Sequence, residues 1–461
     1  MVMSAESQGL QGMWRALEGI GRDGRTGGYR RDAWSPADLE LREWFAQEAD
    51  RRGLDRYEDR NGNLWAWWGD PDERPGVVTG SHLDSVRDGG AFDGPLGVAS
   101  AFAAIDRLRE RGFAPARPIG VVCFADEEGA RFGVPCVGSR LLTGLLDPRR
   151  ARALADDAGD TLTDVLARAG RDPYGLGRDH EAMRRIGVFV ELHVEQGRGL
   201  APLGAPVGVA SAIWPHGRWR FEFHGRTDHA GTTALNDRKD AMLPFAAAVL
   251  AAREAARQHG VVATFGKVRV EPGNANAIPG RVTAWLDARG ADEAAVRRLV
   301  AELADGHEVT CESWIPLVAF DVALRDRVAW VAGRALEEAA RAGGEAAGGE
   351  NGRRPGRGAG KAAGNGTAAR GDDGRAVPVL PTGAGHDAGI LAAAGIPSAM
   401  LFVRNPTGVS HSPEEHAEPE DCETGVVALA AVLEDLCTAG RGGGSGRGSD
   451  RRDRRGRSGV R

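Results

Sequence analysis

The sequence predicts an α/β fold built on a mostly parallel sheet, with a smaller α+β layer set into it. Three features predict this. Through the first 208 residues, continuous apolar runs alternate with amphipathic stretches, as buried parallel strands joined by helices do. From 209 to 320 the runs become strictly alternating. From Asp321 the α/β pattern returns, so the smaller layer interrupts the larger one.

In chain order, VVTG, IGVVCF and IGVFVEL read as buried strands of the larger layer. After GPLG, Val98, Phe102, Ile105 and Leu108 fall on one helical face. In the smaller layer, Trp219, Phe221 and Phe223 alternate with Arg218, Arg220 and Glu222, which predicts a half-buried strand. A helix over about 237–257 follows. Strands are expected around Val268–Val270 and Val282–Ala288, then a helix with Val296, Leu299, Val300 and Leu303, and a strand near 308–318. That β-α-β-β-α-β order is a ferredoxin-like layer. PSAMLFV closes the larger layer. The expected organisation is a large domain over 1–208 and 321–438, split by the inserted domain 209–320. Two low-complexity stretches, 343–374 and 439–461, are expected to be a disordered surface insertion and an Arg/Gly-rich tail.

Composition narrows the function. The 461 residues, 42% hydrophobic and 27% charged, suffice for two or three cores. A net charge of −6 does not point to nucleic acid, and the arginines of the tail read as a solvated segment. No apolar run reaches the ~18–20 residues of a membrane-spanning helix. The opening MVMSAESQGLQGMW lacks a signal peptide's charged start and apolar stretch. Five scattered cysteines without a CxxC pair fit a reducing cytoplasm.

Four of the apolar runs lead into metal-binding residue types: His82 and Asp84, then Asp126-Glu127-Glu128, then His193, and after a short loop His411. Sites in open parallel sheets form at the carboxyl ends of strands, so these residues belong on one rim. Asp93, in the loop GGAFDGPLG, is a fifth candidate. Three imidazoles and two carboxylates suit Zn²⁺, and Mn²⁺, Co²⁺ or Ni²⁺ accept the same set. Five ligands exceed what one open catalytic zinc needs but serve two ions if a carboxylate bridges. Asp93, short and on a loop, is the natural bridge. Asp84 is placed to accept the second imidazole N–H of His82. Of the adjacent Glu127 and Glu128, one is expected to ligate and the other to move a proton.

At these residues the chain resembles the allantoate amidohydrolase and N-carbamoyl-L-amino-acid hydrolase family, dinuclear-zinc amidohydrolases related to zinc aminoacylases and peptidases. The matching stretches are TGSHLDSVRDGGAFDGPLGV, DEEGARFG, GSR, ELHVEQG, GRTDHAGTT, RKDAM, NANAIPG, LDAR, TGAGHDAG and GVSHSPEEH, in family order. Position 193 is His, where the related peptidases carry a carboxylate, which favours the ureido-hydrolase branch.

The resemblance implies a zinc-exopeptidase-like catalytic domain with a lid and dimerisation domain, and a cytoplasmic homodimer acting on a small carboxylate. It implies that His82, Asp93, Glu128, His193 and His411 bind two metal ions and that Glu127 is the general base. It implies that His229 steadies the oxyanion, in its own or the neighbouring subunit's site. Asn276 and Arg289 would hold the substrate carboxylate, with Gln196 and His386 lining the pocket. Arg289, on a strand face with Trp285 and Asp287, could equally pair with Asp287. His216 falls where many relatives carry Gln near the substrate. The insertion and the tail are not part of the family pattern. The resemblance implies hydrolysis of allantoate to ureidoglycine, ammonia and CO₂, with N-carbamoyl-L-amino acids as the alternative and aminoacylase or dipeptidase activity next. A non-catalytic metal-binding relative would have lost Glu127 or a ligand, and neither is lost here.

Overall fold

A computed structural model describes residues 9–347 and 376–438. The tail 439–461 and most of the expected insertion lie outside the described residues. The helix Val322–Ala347 runs into the start of that insertion.

The first six strands are β1 (Asp55–Glu58), β2 (Leu64–Trp68), β3 (Gly76–His82), β4 (Ile119–Phe124), β5 (Ile186–Val194) and β6 (Val207–Ile213). Then come β7 (His216–His224), β8 (Asp228–His229), β9 (Val262–Glu271), β10 (Ala277–Ile278), β11 (Arg281–Arg289) and β12 (Glu308–Ile315). The chain returns with β13 (Val318–Ala319), β14 (Val379–Thr382) and β15 (Ser398–Val403).

The large sheet runs β1-β2-β4-β3-β5-β15-β6-β13, with β14 also on β6. Its centre, β4-β3-β5-β15, is parallel. Every residue of β3, β4 and β15 is buried, because helices and loops cover both faces. Pleating divides these runs between two cores. Val77, Val121 and Val190 pack with Val98, Phe102, Ile105 and Leu108 of the helix Pro95–Glu110 on one face. Val78, Val122, Phe189 and Met400 pack with Trp65 and Trp67 on the other. No helix of the described residues is long and apolar enough to cross a membrane.

A second, antiparallel sheet has the order β12-β7-β11-β9. The helices Met242–His259 and Glu293–Ala304 pack against Phe221, Phe223, Val282 and Leu286 on one of its faces. The first helix begins later than the spacing suggests, because the Asp240 side chain accepts the Met242 N–H (2.9 Å) and fixes the turn there. Glu222, on the polar side of the β7 alternation, is nevertheless buried. Arg220, Arg281 and Thr283 all donate to it at 2.8 Å.

The chain crosses between the sheets at Trp214-Pro215 and back at Pro316-Leu317. The first crossing lies beyond the expected 208/209 boundary, because β6 continues in the large sheet to Ile213. The strand expected near 308–318 is divided between the sheets. Pro316 has no N–H for a ladder, so β12 stops at Ile315 and Val318 pairs with Ile213 instead.

Candidate metal centre and substrate cavity

The parallel registers align the carboxyl ends of the central strands. His82 of β3 stands opposite Phe124 of β4, and His193 of β5 opposite Phe402 of β15. The chain beyond β4 carries Glu127 and Glu128, and the loop beyond β15 carries His411. Asp93 reaches the same rim from the loop before the helix Pro95–Glu110. That loop passes so close to β3 that a Cβ on Gly94 would lie 2.4 Å from the His82 ring. The φ of Gly94, 86°, also favours glycine. Glu415 holds the loop from outside, accepting the N–H groups of Phe92 (2.9 Å) and Asp93 (3.0 Å).

Two ligand groups result, and Asp93 belongs to both. His82, Asp93 and His193 place ligand atoms within 4.8 Å of one another, as do Asp93, Glu128 and His411. Asp93 Oδ1 lies 3.7 Å from His82 Nε2 and 3.2 Å from His193 Nε2. Its other oxygen lies 3.3 Å from His411 Nε2, which is 3.5 Å from Glu128 Oε2.

The tautomers fit cation binding. His82 Nδ1 pairs with the Asp84 carbonyl (3.0 Å) and His193 Nδ1 with the Val194 carbonyl (2.9 Å). Both Nε2 lone pairs are left for the rim, and His193 Nε2 is buried without a hydrogen-bond partner. Buried imidazole nitrogens and a carboxylate facing one point are the donor types that a divalent cation takes.

Asp84 does meet the second ring nitrogen of His82, through its carbonyl, while its carboxylate accepts the N–H groups of Glu127 (3.1 Å) and Glu128 (3.0 Å). Asp84 therefore fixes the turn that presents both glutamates.

Burial drives the local electrostatics. It pushes His82 down to about 4. It opposes protonation of His193 and His411 too, but Asp93 and Glu191 beside His193, and Glu128 and Asp93 beside His411, outweigh it and hold both at about 9. Asp93 in turn stands well below the usual carboxylate range, since those imidazoles overcome its burial. Burial and then Asp93 raise Glu128 to about 8. Burial, with Asp387 and Glu128 nearby, raises Glu127 well above its usual range. The rim thus attracts positive charge, as protons or as metal cations. Glu127 Oε1 accepts the Cys136 thiol (3.1 Å), while Oε2 lies 3.7 Å from His82 Nε2.

A cavity opens over this rim, between the two sheets. Asp93, Glu127, Gln196, His216, Arg289 and His386 are among its walls. Gln196 donates to Asp93 (2.8 Å). His386 packs edge-on against His193 with ring centroids 4.5 Å apart. Burial, with His193 beside it, keeps His386 well below the usual imidazole range. Arg289 does pair with Asp287, through Nε (2.7 Å) and Nη2 (2.6 Å), and donates Nη1 to the Gly383 carbonyl (2.8 Å). Two of its five N–H groups remain free of these bonds.

His229 and Asn276 are the exceptions. Both are exposed on the β8–β10 pair, joined there by Ala230 N–H to Asn276 carbonyl (3.0 Å). Neither is among the cavity's lining residues.

Sequence reasoning also missed residues. Glu191 forms a ligand-type group with His193 and His386. Its place two positions before His193 on one strand face was a usable signal. Arg218, two positions past His216, and Asp287, two before Arg289, carried the same signal, whereas Cys136 and Glu415 offered none, since only the fold brings them to the site.

A profile of peptidase family M20/M25/M40 matches residues 78–435. The N-carbamoyl-L-amino acid amidohydrolase of Geobacillus stearothermophilus is 34% identical over 429 residues, 90% of this chain and 96% of its own. The allantoate amidohydrolase of Escherichia coli (strain K12) is 32% identical over 432 residues, 91% of this chain and 95% of its own. A solved amidase of the hydantoinase/carbamoylase family from Burkholderia vietnamiensis superposes with a TM-score of 0.78 at 27% identity, covering 95% of this chain and 99% of that one. With strand ends, ligand groups and profile in agreement over most of its length, the chain belongs to peptidase family M20/M25/M40 and is a hydrolase.

Proposed function

We propose that the protein hydrolyses a ureido C–N bond in a small carboxylate substrate, allantoate first. The observation that carries this reading is Asp93 shared between two ligand groups, with Glu127 beside them and Arg289 on the opposite wall of one cavity. His82 and His193 would hold one divalent ion, Glu128 and His411 the other, with Asp93 bridging and zinc the first choice. When bound, such a pair polarises a carbonyl and lowers the pKa of water from ~16 towards ~7.

The chain's own residues supply the rest. Glu127, with Oε1 tied to Cys136, uses Oε2 to take a proton from water attacking the ureido carbonyl. It returns the proton to the leaving nitrogen. Gln196 and His386 orient the ureido group, and Arg289 and Asn276 hold the carboxylate. From allantoate the products are ureidoglycine and carbamate, which breaks down to ammonia and CO₂.

The ferredoxin-like layer of β7–β12 would act as lid and dimer interface, in a cytoplasmic homodimer. Val262 and Val268 on the edge strand β9, with Leu243 and Leu250 on the adjacent helix, are exposed apolar residues that support this. The exposure of His229 and Asn276 away from their own cavity supports their use in a partner's site.

A second reading, N-carbamoyl-L-amino-acid hydrolysis, is favoured by the 34% identity to the Geobacillus enzyme. The deciding experiment measures kcat/KM for allantoate and a panel of N-carbamoyl-L-amino acids with defined metals. A clear preference for the latter reverses the order. No ammonia from any of them under any metal removes the ureido reading.

A further inference from the structure

We propose that Arg218 is a second anion-binding residue of this cavity, so that the substrate carboxylate is held between Arg218 and Arg289 with Asp287 as their spacer. The inference rests on the ureido-carboxylate reading and names a specificity determinant for it.

The wall over the rim is the face of the antiparallel sheet opposite its helices. His216 and Arg218 of β7 stand in register with Arg289 and Asp287 of β11, and Ser313 of β12 stands opposite Arg218. All five line the cavity.

A charge count distinguishes the two arginines. Asp287 spends both oxygens on Arg289, at 2.7 and 2.6 Å. Arg218 Nε reaches only Oδ2, at 3.5 Å, an oxygen that Arg289 already occupies. That is well beyond the ~2.7–2.9 Å of a charge-assisted bond. Its other partner is the Gly133 carbonyl, at 3.4 Å. Burial and then Arg289 disfavour protonation of His216, against the pull of the Trp214 carbonyl that its Nδ1 faces (2.8 Å). Two guanidinium groups therefore share one carboxylate, and this wall keeps one net positive charge.

Arg289 alone, matched by Asp287, is a poor source of that charge. Arg218 supplies it, and the unused N–H groups of Arg289 supply fixed direction. An anion settling between them completes the alternation Arg–acid–Arg–acid on a half-buried surface, where an unmatched charge is costly.

The test is calorimetric binding to the metal-loaded full chain carrying Glu127→Gln, which blocks turnover. The ligands are N-carbamoyl-L-alanine and its carboxamide, which differ only in the charge at issue. Arg218→Ala is expected to weaken the acid about tenfold or more while the amide changes less than about twofold. Arg218→Lys keeps the charge without the fork and should recover part of the loss. An unchanged acid-to-amide ratio in Arg218→Ala overturns the inference. So does equal weakening of both ligands, which would make Arg218 a strut to Gly133, and so does a parent protein that does not bind the acid. Failure of the function reading looks different: a Glu127-intact enzyme then cleaves no ureido compound, while the binding ratio still decides the role of Arg218.

Discussion

Glu127 and Glu128 are neighbours, equally buried, and held by the same Asp84 carboxylate, yet the geometry separates them. Glu128 Oε2 faces His411 and the shared Asp93, whereas Glu127 pairs with a thiol and keeps one oxygen towards His82. Glu127→Ala should therefore retain both metals and lose turnover by about 10²–10⁴-fold, the range of a lost general base. Metal analysis beside steady-state kinetics checks this, and normal kcat in the variant would refute the assignment. Arg289→Ala should act on the other side of the reaction, raising KM for carboxylate substrates by about tenfold or more, as loss of a charged hydrogen bond does. An unchanged KM would argue against an anchor there. The two candidate ligand groups were legible because several apolar runs end in His or acid and because strand ends converge. Which oxygen of Asp84 meets His82 was not, since carbonyl and carboxylate of one residue are indistinguishable until the turn is folded.

At the scale of an element, the end of β4 depends on a buried hydrogen-bond chain that starts in the β1–β2 turn. Asp59 accepts Asn61 and Asn63 N–H groups, the Asn63 amide and the Trp65 indole. Asn63 then accepts the Ala125 N–H at 3.0 Å, just ahead of Glu127. Asn63→Ala would leave Ala125 and Asp59 short of partners and should cost about 2–3 kcal/mol of stability, measurable by denaturant titration. A variant as stable as the parent would show that the chain does not support the turn. Burial raises Asp59 to about 6 in the folded protein, against 3.8 for the free side chain, even with four donors aimed at it. The folded state thus holds this proton more tightly than the unfolded state. Its contribution to stability is fully present below the unfolded pKa and falls by about 3 kcal/mol as pH rises from about 4 through 6. Comparing stability across pH 4–7 in the parent and in Asp59→Asn isolates it, and parallel curves would sink the claim. Sequence showed β4 as an apolar run but neither β1 and β2 nor the Asp59–Asn63 chain, because polar turn residues read as solvated until a second element covers them. For the same reason the helix near 240 and the 208/209 boundary were displaced: Asp240 and Pro215 punctuate more sharply than periodicity does.

Across the whole molecule, two sheets meet over one rim, and the candidate site uses both. The rim gathers the buried Asp93, Glu127, Glu128, His82 and His193, with the exposed His411 at its edge. Cations that bind there only in the folded state stabilise it by mass action, so chelator treatment should lower the melting temperature together with activity, and metal add-back should restore both. Loss of activity with no thermal shift would place the metals elsewhere. His229 then remains, exposed on β8 and outside the cavity of its own chain. If it serves the neighbouring subunit of a two-fold dimer, two inactive variants should complement each other. In a Glu127→Ala/His229→Ala heterodimer, the subunit with intact Glu127 receives His229 from its partner, and one of the two sites is whole. Random pairing on co-expression makes half the dimers hybrid, so about a quarter of wild-type activity should return. If His229 acts within its own chain, each hybrid site still lacks one group. Co-expression then recovers nothing above the two parents, and the dimeric site is refuted while the metal rim stands.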